Sequence, residues 1–251
     1  MKNFKKEKKQ NSFSANGELV IYGRHAVFSA IKNKKRVIKR IIVAKENLNE
    51  FRENFGDMNV DVVDKKEFLK IVPQDAVHQG FALCCSRIDT YDIRDLIDEN
   101  KNNSLIVILD QVSDPQNIGA IIRSCVAFGV DGLVVQDKNS PLESGAMVKA
   151  TAGTMEHIKI SRVTNLSRAI EILKDNGYWV IGMDGYADTT IDKVNKDGKI
   201  ALVMGSEGKG MRRLVQENCD TSVKLNISPL VESLNVSTAA AIAIYELTKG
   251  Q

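Results

Sequence analysis

Leu202-Val-Met-Gly-Ser-Glu-Gly-Lys-Gly-Met211 runs from an apolar segment into glycines interleaved with Ser206, Glu207 and Lys209. A run of this kind reads as a buried strand opening into a loop that exposes backbone N–H and C=O groups, the place where open α/β sheets bind ligands. Two further runs share the character. Asp110-Gln-Val-Ser-Asp-Pro-Gln-Asn-Ile-Gly-Ala-Ile-Ile-Arg123 lies upstream, and Val231-Glu-Ser-Leu-Asn-Val-Ser-Thr-Ala-Ala-Ala241 lies downstream. Around them, apolar strand patterns at 105–109, 132–136, 157–160, 178–183, 200–204 and 222–227 alternate with helical patterns at 117–128, 142–150, 166–176, 210–217 and 234–247. Strands alternating with helices indicate βαβ units and a mainly parallel sheet. The glycine loop is neither a P-loop nor a Rossmann fingerprint, because the lysine pairing and the glycine spacing of both are absent.

The first third of the chain reads as a smaller α/β unit. Strand patterns at 19–21, 37–43, 60–63 and 81–85 enclose helical patterns at 23–31 and 64–71, the second with Asp64 placed to cap it. Residues 1–17 are lysine-rich with little to bury and read as a disordered tail. The polar, weakly helical stretch 87–103 reads as a linker between a domain at 18–86 and one at 104–251.

Charge is distributed unevenly along the 251 residues. The net charge is only +3, yet residues 1–45 carry thirteen Lys/Arg against Glu7 and Glu18. Within 19–45 there are eight basic residues and no acidic one. Such a block attracts polyanions and points toward nucleic acid, with a solvated face as the plain alternative. No apolar run approaches the roughly 20 residues that a membrane span requires, and the lysine-rich start lacks the apolar core of a signal peptide. Cys84, Cys85, Cys125 and Cys219 show no metal or redox spacing, and His25, His78 and His157 are scattered. Free thiols in a cytoplasmic protein without a metal site are expected.

Individually the candidate residues are ambiguous. Arg123 shares a helix face with Gly119, Ala120, Val126 and Ala127, where a guanidinium is costly unless it meets a ligand or a carboxylate such as Glu207 or Asp110. Asn117, Asn235 and Ser237 suit helix capping as well as substrate contact. Glu207 suits a ligand site or an exposed turn equally.

Together the three runs resemble the three motifs of the SpoU/TrmH family of RNA ribose 2′-O-methyltransferases, in the SPOUT superfamily. The first motif is matched from Asp114-Pro-Gln-Asn117 to Arg123, the second by Leu202 to Met211, and the third by Leu225 to Ala241. Ile21-Tyr-Gly-Arg-His-Ala-Val27 and His78-Gln-Gly-Phe81 resemble the small substrate-binding domain of the 23S rRNA guanosine 2′-O-methyltransferase branch. The resemblance implies a trefoil knot in the C-terminal domain and a homodimer formed through it. It implies an S-adenosylmethionine site lined by Gly205, Leu225, Ile227 and Leu234, with Asn117, Arg123, Glu207, Asn235 and Ser237 facing the reacting ribose. The family's arginine at the position of Arg123 is regarded as a base. A guanidinium stays protonated in proteins, so binding of phosphate or hydroxyl oxygens is the expected first role here. At the third motif the family carries Ile-Pro-Met, whereas this chain reads Leu225-Asn226-Ile227 with a proline at 229 instead. The implied substrate is 23S rRNA at a guanosine. The alternatives are tRNA, an rRNA adenosine, or an RNA-binding ribosome-assembly factor without activity.

Overall fold

A computed structural model describes residues 19–73, 76–138 and 143–250, so the 1–17 tail lies outside the described residues. The elements run β1 (Leu19–Tyr22), α1 (Arg24–Lys32), β2 (Ile38–Ala44), α2 (Leu48–Phe55), β3 (Asp61–Val63), α3 (Lys65–Ile71), β4 (Phe81–Cys85) and β5 (Ser104–Leu109). They continue with α4 (Pro115–Ala127), β6 (Gly132–Gln136), α5 (Gly145–Ala150), β7 (Lys159–Val163), α6 (Leu166–Asp175) and β8 (Tyr178–Met183). The last are β9 (Thr189–Thr190), β10 (Lys199–Met204), α7 (Arg213–Glu217), β11 (Thr221–Lys224) and α8 (Val236–Thr248). The chain divides into two compact units, Met1–Ile88 with Glu143–Lys149, and Asp89–Leu142 with Ala150–Gln251.

In the first unit four strands order as β1-β4-β2-β3, with β4 antiparallel to both neighbours and β2 parallel to β3. All five residues of β4 are buried, as expected for a central strand covered on both faces. Phe28, Phe51 and Phe81 form an edge-to-face aromatic core beneath α1 and α2. Asp64 caps α3 as its sequence suggests, accepting from the Glu67 N–H at 2.8 Å. Glu143–Lys149 follows β6 in sequence but packs with this first unit, where Glu143 meets Arg36 in a buried ion pair.

This pair and two others commit the arginines of the basic block within the fold. Arg36 donates to both Glu143 carboxylate oxygens and to the Ser86 carbonyl. Arg24 pairs with Glu50, and Arg40 pairs with Asp61. The carboxylates come from positions beyond the block, so the arginines are neutralised by partners that counting within 19–45 misses. Lys32, Lys34, Lys35, Lys39 and Lys45 remain exposed.

Among the described residues the second unit carries seven strands, all parallel, in the order β7-β6-β5-β10-β8-β11-β9. α6 buries Leu166, Ala169, Ile170 and Leu173, a helical stripe at the 3.6-residue period, against Val134, Val180, Ala201 and Val203 of the sheet. Ile93 and Leu96 join the same core, so the 87–103 stretch expected as a linker is partly a packed element. Its flanking Asp92, Arg94 and Asp95 mask this in the sequence. Strand β7 begins two residues later than expected, because residues 154–157 turn in a 3-10 helix first. The sheet reverses its winding between β5 and β10: β5 leads outward to β6 and β7, while β10 adjoins β8. Such a switch point opens a crevice at the carboxyl ends of the strands.

Candidate active site

β5 and β10 pair in register, with Leu109 opposite Met204 as the last partners. Each then releases a loop at the same edge of the sheet. After β5 comes Asp110 and the turn into α4, which Asp114 caps by accepting from the Gln116 N–H at 2.9 Å, with Pro115 in the first turn. The helix therefore starts before Asn117, whose side chain is not needed as its cap. After β10 comes the glycine loop, closed on itself by reciprocal backbone bonds between Ser206 and Gly210, both 3.0 Å. A Cβ at Gly205 would lie 2.3 Å from the Gly210 carbonyl carbon and 2.4 Å from the Met211 nitrogen, so only glycine fits there. That requirement comes from the loop's own closure.

The three runs singled out in the sequence meet at one carboxylate oxygen. Glu207 Oε1 accepts from Asn117 Nδ2 at 3.1 Å, from Asn235 Nδ2 at 2.6 Å and from the Val236 N–H at 3.2 Å. Asn235 Nδ2 also donates to Asn117 Oδ1 at 3.1 Å. Asn235 is at the same time the cap of α8, its Oδ1 accepting from the Ser237 N–H at 2.9 Å and from Ser237 Oγ at 2.5 Å. Capping and site formation are thus one arrangement. Bonds to an ionised acceptor are the stronger kind, and the N-terminal end of α8 favours the negative charge further. Glu207 Oε2 accepts no hydrogen bond among the described residues and stays open to solvent.

Arg123 is exposed on α4 and forms no ion pair among the described residues. Neither expected carboxylate meets it: Glu207 serves the two asparagines, and Asp110 is bound by Arg212. Of the neighbours that made its position look buried, Gly119 is buried but Ala127 is exposed, and Arg123 itself reaches solvent, so the guanidinium needs no buried partner.

Leu225 and Leu234 are half-buried at the two ends of the loop between β11 and α8, and Ile227 is exposed within it. Pro229 occupies the first central position of a turn closed by the Val231 N–H donating to the Ser228 carbonyl at 3.1 Å, where its fixed φ is suited. The displaced proline thus builds a turn that leaves Leu230 93% exposed.

Cys84, Cys85 and Cys125 are buried, and burial pushes the Cys219 thiol up to about 11. No group of His, Cys, Asp or Glu able to hold a metal occurs among the described residues, and no helix there is long and apolar enough to cross a membrane.

Residues 104–245 match the SpoU rRNA Methylase family, and residues 20–91 match the domain described as RNA 2′-O ribose methyltransferase substrate binding. A Staphylococcus aureus protein named as a TrmH family tRNA/rRNA methyltransferase is 36% identical over 240 residues, covering 92% of this chain and 95% of its own. Among solved structures, the fold is similar to the SpoU methyltransferase AviRb from Streptomyces viridochromogenes in complex with AdoMet, with a TM-score of 0.79 at 19% identity over 93% of this chain and 90% of that one. It is similar too to the AdoMet-bound rRNA methyltransferase from Sinorhizobium meliloti, with a TM-score of 0.78 at 21% identity over 92% of this chain and 87% of that one.

Proposed function

The chain belongs to the SpoU rRNA methylase family, and from that premise we propose that it methylates a ribose 2′-hydroxyl of 23S rRNA, at a guanosine, in the cytoplasm. It is an RNA 2′-O-methyltransferase that uses S-adenosylmethionine. The observation that carries the site is the convergence of Asn117, Glu207 and Asn235, from three runs far apart in sequence, on the edge where β5 and β10 end.

The residues present suit the cofactor. A sulfonium cation with an adenine calls for apolar contacts and open backbone groups near a carboxylate. Gly205, Leu225, Ile227 and Leu234 would hold it, on loops whose backbone is largely outside helix and strand, with Glu207 as the nearby carboxylate. When bound, S-adenosylmethionine supplies an activated methyl group, so no metal is needed for the transfer. The chain's own task is to align a weakly acidic hydroxyl and to ease loss of its proton. Arg123, exposed on α4, binds phosphate or hydroxyl oxygens and lowers the cost of charge developing on the 2′-oxygen. A phosphate of the RNA or a water then takes the proton. Asn117, Asn235 and Ser237 orient the ribose while Glu207 holds the two amides in place.

Domain 18–86 serves as the RNA-binding unit through its exposed lysines, domain 104–251 performs the transfer, and 87–103 joins them, with the 1–17 tail adding charge. The trefoil knot accords with β11 lying between β8 and β9 although only residues 184–188 join those two strands. A homodimer accords with the exposed apolar face of α4 and α8, where Phe128 packs on Tyr245 at 5.6 Å between ring centroids beside exposed Ile242.

The test is methyl transfer from labelled S-adenosylmethionine to separate pools of tRNA, 16S rRNA and 23S rRNA, followed by identification of the modified nucleoside. The expected product is 2′-O-methylguanosine in 23S rRNA alone. Label in tRNA would keep the chemistry and overturn the substrate. Failure both to label RNA and to bind the cofactor would leave an RNA-binding assembly factor.

A further inference from the structure

Asp110 is fully buried, with a relative exposure of 0%, at the first position past β5. A buried carboxylate is costly unless its charge is met by well-placed donors, and here the donors all concern the glycine loop. The Asp110 N–H donates to the Met204 carbonyl at 2.8 Å, which fixes the residue that enters the loop. Its Oδ2 accepts from the Arg212 N–H at 2.8 Å and its Oδ1 from Arg212 Nε at 2.7 Å, which fixes the residue that leaves it. One side chain and its own amide therefore clasp both ends of the loop that carries Gly205 and Glu207. The close approach of Gly205 to Gly210 and Met211 shows how tightly the two ends are drawn together.

We infer that Asp110 is a positioning residue for S-adenosylmethionine binding, acting through Arg212 on the shape of the 205–211 loop. This rests on the proposed role of that loop as part of the cofactor site. Asp110 itself touches none of Asn117, Glu207 or Asn235 through a hydrogen bond, so its effect passes through the loop backbone alone. The graded nature of the clasp makes it testable. Arg212→Ala removes the side-chain bond and keeps the backbone N–H bond. Asp110→Asn keeps the shape and an acceptor but removes the charge.

The experiment measures cofactor affinity by calorimetry on the full chain, with thermal unfolding and the KM for RNA in parallel, for both single variants and the double variant. Each single variant is expected to weaken S-adenosylmethionine binding by roughly tenfold, as removal of a charge-assisted bond would, and to leave the KM for RNA unchanged. The double variant is expected to be no worse than the weaker single, because both residues act through one clasp. Variants that unfold at lower temperature yet bind the cofactor within twofold of the unaltered chain would overturn the inference and leave Asp110 a purely stabilising residue. Additive effects would overturn the route through Arg212. If Asp110→Asn does not fold, Arg212→Ala still decides, since the Arg212 side chain is 37% exposed, its loss opens no buried cavity, and Asp110 keeps its bond from the residue 212 N–H. An unaltered chain that fails to bind the cofactor would refute the proposed function itself, a result distinct from any of these.

Discussion

Replacing Glu143 with glutamine removes one charge from the most deeply buried ion pair among the described residues and should destabilise the first unit. The Arg36 and Glu143 side chains are 1% and 6% exposed. The guanidinium also donates to the Ser86 carbonyl at 2.7 Å, and Glu143 Oε2 accepts from the Ile88 N–H at 2.8 Å, so both groups are satisfied as they stand. Glutamine preserves shape and one acceptor but strands the guanidinium in a poorly solvated place. Breaking a buried pair in this way costs about 3–5 kcal/mol. The retained acceptor places this case at the lower end, about 3 kcal/mol, and a roughly hundredfold fall in amide protection follows at about 1.4 kcal/mol per tenfold. Trp179, the chain's one tryptophan, lies in the second unit, so its fluorescence does not report the event directly. Amide exchange in β2 and β4 does. Replacing both partners together, as Arg36→Met with Glu143→Leu, should cost far less than Glu143→Gln alone, because no charge is left behind. A destabilisation below about 1 kcal/mol for the single variant, or a double variant as damaged as the single, would refute this reasoning.

Charge reversal of Lys32, Lys34 and Lys35 to glutamate should weaken RNA binding and flatten its dependence on salt, read as a drop in slope of up to about 0.7–0.9 for each phosphate that is no longer neutralised, while Arg36→Met combined with Glu143→Leu leaves that slope unchanged. Arg123→Lys should lower turnover by at least about tenfold with cofactor affinity intact, since an ammonium cannot reproduce a planar two-point contact; near-normal turnover would exclude that role. Gly205→Ala should abolish cofactor binding by forcing the loop open against its own backbone, with little change in the unfolding midpoint of the first unit. Burial, and then Lys65, hold His78 below its ordinary value of 6.5, so the folded chain binds this proton less readily than the unfolded chain. Its stability contribution is complete above about pH 6.5 and disappears as pH falls through the lower folded value; His78→Gln should flatten the unfolding profile across that window.

Much of the architecture is legible one element at a time. The strands β5, β6, β8 and β10 are runs of apolar residues that match the structure within a residue, because a strand buried on both faces requires such a run whatever its neighbours. Asp64 sits where a cap must be and accepts the expected backbone N–H, and the structure shows Asn165 capping α6 in the same way. Errors fall where tertiary contact overrides local pattern. Ile93 and Leu96 are buried although charged residues surround them, and β9 is only two residues long. The start of α4 at Pro115, ahead of Asn117, is by contrast local, set by the Asp114 cap. The arginines of the basic block look free for RNA until Glu50, Asp61 and Glu143 arrive from later in the chain. Arg123 looks confined until the helix packing leaves its face open.

The sequence by itself determined where the ligand-bearing loops must begin, the chemistry that the three motif runs resemble, and most of the strands and helices, though neither α2 nor β9. Each of those follows from interactions within a few residues, such as side-chain periodicity, capping and the freedom of glycine. Only the tertiary structure decided that β10 lies beside β5, and with it that Glu207 gathers Asn117 and Asn235. The bond between Asp110 and Arg212 spans 102 positions, and Asn235 reaches Asn117 across 118. No local preference encodes such pairings. They come from the order in which parallel strands stack, which is set by how whole helices and loops pack across the sheet and bury its two faces.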